Sequence, residues 1–351
     1  MLDLELADLR ALGWNEALAD AWIALGAPGS PGRVSRLDRG WSTVLSGPNP
    51  SDPEMTMRVR NIGADVAVGD WVITSADGER VEHVLPRRSA LVRRASFEGA
   101  RAVPDTLAAN VDVVFVTHAF GATPNQRRLE RELVLAFDSG AEPAVVLTKS
   151  DLVADPEPAR RELIEVALGV PVLVASGRTG AGVDDLRAFA HGGRTVAFLG
   201  ASGVGKSTLI NTMLGADVQE VTEVRTGDQR GRHTTVAAQL LPLPGEGWLL
   251  DTPGLRAVSL WLSGDGIERA FADVFELMEH CRFRDCKHDQ EPGCAVRTAI
   301  EEGRLDPDRF ANLERIVAEE AAVEEEQRAK ERAADRRRRG RPAPEADEDM
   351  G

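Results

Sequence analysis

Residues 200–208 read GASGVGKST, between the apolar run TVAFLG and the helix-like LINTML. Glycines at 200, 203 and 205 let backbone N–H groups turn inward, and a helix start adds its partial positive charge, which makes a cradle for phosphate. Lys206 would bridge the β- and γ-phosphates of a nucleotide and Ser207 would hold its Mg2+, with Ala201, Ser202, Val204 and Thr208 completing the loop. A glycine turn with a surface lysine has no need of an apolar strand before it and an apolar helix after it. The pattern marks a nucleoside triphosphate site without naming the base.

Three further stretches supply the rest of such a site. In GWLLDTPGLR, Asp251 ends an apolar run, where it would hold Mg2+ through water, and the Gly254 N–H would sense the γ-phosphate. In AVVLTKSDL, the Asp151 carboxylate can accept from both guanine N1–H and the exocyclic amine, a pairing that adenine does not offer. Lys149 would lay its stem over the base and Ser150 would continue the turn; Thr148 stands where Asn is commoner and offers only a hydroxyl. In VASGRTGAG, Ser176 ends another apolar run whose loop N–H groups would face guanine O6. The order is base loop, base loop, phosphate loop, Mg2+ strand tip, whereas an ordinary GTPase begins with its phosphate loop. The chain reads as a circularly permuted GTPase.

The elements that must position these residues follow from periodicity. Residues 111–117 (VDVVFVT), 143–149 (PAVVLTK), 171–176 (PVLVAS) and 195–200 (TVAFLG) are continuous apolar runs, the mark of parallel strands buried on both faces. A helix is predicted over NQRRLERELVLAFDSG, with Leu129, Leu133 and Phe137 four apart and Gly140 as its stop. This predicts a doubly wound α/β GTPase domain over residues 105–262. Before it, five short β-prone runs separated by Gly, Pro, Asp and Asn predict an OB-like barrel over 31–98. Residues 1–30, with leucines at 4, 6, 9, 12 and 18, read as a helical extension and linker.

Past the α/β region, a helix over 267–280 leads into Cys281-x4-Cys286-x-His288-x5-Cys294, which holds all three cysteines of the chain. Three thiolates and one imidazole suit a closed tetrahedral Zn2+ site that stabilises a small module, here residues 263–310, without an open position for catalysis. Residues 311–351 are rich in Ala, Glu and Arg and then in Pro and acids, which predicts a charged helix fraying into a disordered tail.

A barrel, a permuted GTPase and this cluster together resemble the ribosome-small-subunit-dependent GTPase family, RsgA (YjeQ). The resemblance runs from about residue 32 to 310 through VGDWV, TKSD, GASGVGKST, GRHTT, DTPG and the cysteine spacing. It implies a late-acting maturation factor that binds the small ribosomal subunit and its rRNA and hydrolyses GTP to GDP when the subunit stimulates it. The position that often carries a water-orienting Gln is Leu255 here. His233, on the loop that should close over the γ-phosphate, is the replacement this sequence offers, with Thr234 or Thr235 as the Mg2+-sensing residue.

The 351 residues carry 42% hydrophobic and 28% charged side chains, with a net charge of −15, so RNA contact must come from local basic patches. The candidate patch is PRRSALVRRASFEGAR, with Arg87, Arg88, Arg93, Arg94 and Arg101, and Trp41 or Trp71 as a stacking aromatic. No apolar run is long enough for a membrane span and the start lacks signal-peptide features, so a cytoplasmic monomer is expected. Because the chain after Asp251 runs within about a dozen residues into the cysteine module, the order of motifs predicts that nucleotide state is passed to that module. A nucleotide-gated RNA-binding adaptor with negligible turnover and an ATP-using P-loop enzyme are the alternative readings.

Overall fold

The computed structural model describes residues 8–94, 104–120, 125–167, 169–217, 238–245, 247–252 and 264–339. Helix α1 (Glu16–Ala24) starts where the Asn15 side chain accepts a hydrogen bond from Leu18 N at 3.1 Å. The segment around it is packed against the body and is not a free extension. Leu9, Leu12, Trp14 and Leu18 are buried in the largest core, and the Trp248 indole donates to Ala11 O at 2.8 Å.

The five strands predicted for the barrel all form: β1 (Ser30–Asp38), β2 (Trp41–Leu45), β3 (Thr56–Arg60), β4 (Trp71–Thr74) and β5 (Val81–Val84). They pair antiparallel in the order β3-β2-β1-β4-β5, and an isolated parallel bridge between Arg60 and Arg80 joins the two ends of that row. Val34, Val44, Val59 and Val72 fill the interior. A ribbon of β6 (Ala90–Arg94) and β7 (Pro104–Ala109) leads out of it.

The α/β region comprises β8 (Val113–Ala119), α2 (Gln126–Asp138), β9 (Glu142–Thr148), α3 (Glu157–Ala167), β10 (Val172–Val174), α4 (Val183–Ala188), β11 (Thr195–Gly200), α5 (Lys206–Leu214), β12 (Gln239–Leu243) and β13 (Gly247–Asp251). Strands β10-β9-β8-β11-β13 are parallel neighbours in that order, as the continuous apolar runs predicted, and β12 closes the row antiparallel to β13. Strand β12 also meets β1 through the pair Arg36 and Gln239, so the barrel and the α/β sheet are one continuous sheet.

Arg33 locks that junction. Its guanidinium is buried and donates to Leu12 O at 2.6 Å, Asn110 O at 3.0 Å and Gly69 O at 3.4 Å, one carbonyl each from the N-terminal segment, the domain connection and the barrel. Burial lowers its pKa to about 10, so it stays cationic at neutral pH.

The C-terminal module departs from the single helix predicted over 267–280. Two helices form, α6 (Asp265–Ala270) and α7 (Ala272–Glu279), broken at Phe271, whose ring is fully buried. After α8 (Ala295–Glu301), α9 (Pro307–Arg339) begins earlier than the predicted boundary at 311 and is one continuous helix. Its first turns are core: Arg309 sits over the Phe271 ring at 4.7 Å and bridges Glu130 of α2 at 2.9 Å and Asp273 of α7 at 2.6 Å. The module is therefore bolted to helix α2 of the α/β region.

Candidate functional site

Because β8, β9, β11 and β13 run parallel, their carboxyl ends open on one edge of the sheet, where ligands bind in open α/β folds. The phosphate loop leaves β11 there, the TKSD turn leaves β9, and Asp251 ends β13, largely buried. Motifs some fifty residues apart in an unusual order thus meet at one place.

Gly205 stands at the head of α5 with φ 105°, a conformation that a side chain would strain, and a Cβ there would lie 3.5 Å from the Thr148 hydroxyl. The Lys206 ammonium donates to Gly200 O at 2.8 Å and Ala201 O at 2.6 Å, so it lies across the loop. Thr148 donates its hydroxyl to Val204 O within the phosphate loop. The hydroxyl that looked like a weak base contact is a clip between the base loop and the phosphate loop.

Lys149 adopts φ 61°, turning the chain into the short 3-10 turn Ser150–Leu152 that presents Asp151. Ser176 is buried and accepts from Arg178 N at 3.3 Å and Thr179 N at 3.2 Å, so its one hydrogen goes to Asp151 Oδ1 at 2.6 Å. That bond anchors one oxygen of the carboxylate. His233, Thr234, Thr235, Gly254 and Leu255 lie outside the described residues.

The cysteine cluster assembles as a set. The Cys281, Cys286 and Cys294 sulfurs and a His288 ring nitrogen all lie within 4.8 Å of one another. Cys281 Sγ is 4.0 Å from Cys294 Sγ, and His288 Nδ1 is 3.6 Å and 3.4 Å from those two sulfurs. A tetrahedral ion with bonds of about 2.3 Å to sulfur and about 2.0 Å to nitrogen places sulfurs about 3.8 Å apart and sulfur–nitrogen pairs about 3.5 Å apart, so the donors fit such an ion. Cys294 also caps α8, its sulfur accepting from Arg297 N at 3.5 Å.

The arginine patch is largely paired within the protein. Arg87 makes two 2.8 Å bonds to Asp70, a fully buried carboxylate, and also reaches Asp65 and Thr106. Burial pushes the Asp70 carboxyl up and Arg87 offsets that, so turning Arg87 outward would strand a buried charge. Arg88 pairs with Asp112 and Arg93 with Asp105, both on half-exposed side chains. Arg101 and the Arg94 side chain lie outside the described residues. Trp71 is buried in the core and has no face to offer a base, whereas half-buried Trp41 sits under Arg58 at 5.1 Å and Arg60 at 5.3 Å.

The sequence profile of the RsgA GTPase family matches residues 84–261, from the end of the barrel to just short of the cysteine module. The chain belongs to the RsgA GTPase family. Relatives within it extend the likeness over the remaining regions. A Streptomyces coelicolor protein named small ribosomal subunit biogenesis GTPase RsgA is 42% identical over 93% of this chain and 90% of its own. A Lactiplantibacillus plantarum protein named small ribosomal subunit biogenesis GTPase RsgA 2 is 40% identical over 82% of each chain. The crystal structure of YjeQ from Thermotoga maritima matches with a TM-score of 0.59 and 26% identity, covering 83% of this chain and 98% of that one. That of YloQ, described as a circularly permuted GTPase, matches with a TM-score of 0.59 at 23% identity over 84% and 95% of the two chains. Within the RsgA frame the unusual motif order is the family's permuted GTPase fold. The residues that sequence reading missed, Arg33, Asp70 and Arg309, all act by contacts between segments distant in the chain.

Proposed function

We propose that this RsgA-family chain is a GTP hydrolase that binds the small ribosomal subunit and acts in its late maturation, splitting GTP to GDP and phosphate when the subunit stimulates it. The observation that carries the reading is the meeting of the phosphate loop and TKSD at one sheet edge, clipped together by Thr148 and Val204. The names of the relatives support the subunit as partner.

In this reading the N–H groups of Gly200, Ala201, Ser202, Gly203, Val204, Gly205 and Thr208 hold the phosphates and Lys206 spans the β- and γ-phosphates. Ser207, Thr234 and Asp251 hold Mg2+, Gly254 senses the γ-phosphate, and Thr148, Lys149, Ser150, Asp151 and Ser176 form the base pocket. A single Zn2+ on Cys281, Cys286, His288 and Cys294 is structural. The five-stranded barrel is of OB type, ahead of a permuted GTPase domain and a zinc module, in a monomer acting in the cytoplasm. Among the described residues no helix is long and apolar enough to cross a membrane. The deciding experiment is GTP hydrolysis with isolated small ribosomal subunits. Turnover that rises on adding subunits is the expected result, and an unstimulated rate would end the reading.

His233 is the catalytic residue of this scheme, orienting or deprotonating the attacking water. His233→Ala is expected to lower subunit-stimulated turnover about a hundredfold with GTP affinity kept. Single-turnover kinetics that stay near wild type would remove it from the mechanism.

The rRNA contact falls on the outer barrel face where Trp41, Arg58 and Arg60 stack, with Arg88 and Arg93 at the margin. This is the β2–β3 face that OB barrels use for nucleic acid. Stacking on Trp41 contributes about 1–3 kcal/mol per base, so Trp41→Ala should weaken subunit binding about tenfold. Removing Arg58 and Arg60 together should lower the slope of log affinity against log salt by between one and two. A salt response unchanged in the double variant would move the contact elsewhere.

A further inference from the structure

The loop over residues 176–182 follows β10, which is three residues long and lies at the end of the sheet. So short an edge strand holds a loop poorly, and the loop is held instead by helix α5. Gly177 lies flush against the first turn of α5, where a Cβ would stand 2.7 Å from Leu209 N and 2.8 Å from Thr208 C. One turn on, the Thr212 hydroxyl shares its hydrogen between Gly177 O at 2.6 Å and Thr208 O at 2.9 Å. At the far end of α5, Arg187 covers the last-turn carbonyls. Its Nε donates to Met213 O at 3.0 Å, and its Nη2 donates to Thr212 O at 2.8 Å and Met213 O at 2.9 Å. Arg187 belongs to α4, which continues the loop, and Asp184 holds its other nitrogen at 2.8 Å.

The loop is thus fastened to α5 through Gly177, which meets Thr208, Leu209 and Thr212, and the helix that continues it, α4, is fastened to the last turn of α5 by Arg187. The same helix begins with the phosphate loop, and the head of the fastened loop is Ser176, which orients Asp151. We propose that Thr212 and Arg187 are positioning residues for guanine selectivity. They hold the 176–182 loop at the height where its N–H groups reach guanine O6 and Ser176 reaches Asp151. Neither side chain touches the nucleotide. The inference rests on the guanine reading of Asp151 given above, and it adds that selectivity is set from the side of α5 that faces the 176–182 loop.

The test is competition binding of GDP and ADP, with Mg2+, to the full-length protein and its variants. Thr212→Val is nearly isosteric and removes only the hydroxyl, which leaves Gly177 O without its donor. GDP affinity is expected to fall about three- to tenfold with ADP affinity unchanged, so the GDP/ADP ratio falls by the same factor. Thr212→Ser, which keeps the hydroxyl, is expected to restore the ratio, and Arg187→Met to lower it. An unchanged ratio in Thr212→Val overturns the inference. So does an equal loss of GDP and ADP binding, which would mean that the phosphate end of α5 was damaged. If Thr212→Val loses its thermal transition, Arg187→Met carries the same two outcomes. A wild-type protein that binds GDP and ADP alike overturns the guanine reading itself, and the inference with it.

Discussion

Replacing Asp151 with Asn is expected to cost GTP about three orders of magnitude in affinity and to shift preference to xanthosine triphosphate. A carboxylate accepts both the N1–H and the 2-amino group of guanine, and each charge-assisted bond contributes about 1.5–3 kcal/mol. Replacing one of that pair by an amide donor that opposes the guanine amine, and removing the charge from the other, is worth about 3–6 kcal/mol, or a factor between about a hundred and ten thousand. The local hydrogen bonding also says which way the new amide will face. Ser176 already accepts from Arg178 N and Thr179 N, so its hydroxyl must donate, and the Asn carbonyl will take the place of Asp151 Oδ1 beside it. The amide nitrogen is then left facing the base, where it opposes the guanine amine and matches the xanthine C2 carbonyl. Competition titrations with GTP, XTP and ATP check this. GTP affinity within tenfold of wild type would remove Asp151 from base recognition, and with it the guanine reading.

The parts of this site that were legible in the sequence are those whose signal is local. The strands β8, β9 and β11 read as unbroken apolar runs because alternate residues of each enter two separate cores, one on either face, and the phosphate loop is a nine-residue motif with its strand and helix attached. The four metal donors fall within fourteen residues and come together as the spacing implied. Contacts between distant segments left no such mark. Nothing near Arg87 announces that its partner is Asp70, so a paired scaffold arginine read as part of an open basic patch. Leu9, Leu12 and Leu18 read as part of a helical extension because the residues they pack among or beside, Trp71 and Trp248, lie far along the chain and leave no mark near the leucines. The break at Phe271 is of the same kind, since the ring turns inward to meet Arg309, which lies on another helix.

Stripping the metal is expected to unfold the cysteine segment while leaving the C-terminal module docked and the nucleotide site intact. Between α7 and α8 the chain buries little apolar surface, and Phe283 is well exposed, so bonds from the four donors to an ion would be what holds it. Structural zinc in such modules contributes about 10–16 kcal/mol to folding, more than this segment can replace by packing. Helix α8 should loosen with it, because its N-terminal cap is the Cys294 sulfur. The docking does not pass through the cluster. Arg309 ties Glu130 to Asp273, Asn312 reaches Glu130 at 2.5 Å, and Gly266 N donates to Asp138 at 2.6 Å, all without a metal ligand. A strong chelator or Cys294→Ser should therefore raise hydrogen exchange across residues 281–301, leave α2, α6 and α7 protected, and leave GDP affinity within about twofold. Loss of subunit-stimulated turnover alongside intact GDP binding would place the module in partner engagement and not in nucleotide binding. Metal analysis should return one zinc per chain in the untreated protein. A metal-free preparation with the same exchange pattern would show that the cysteines hold the segment without an ion.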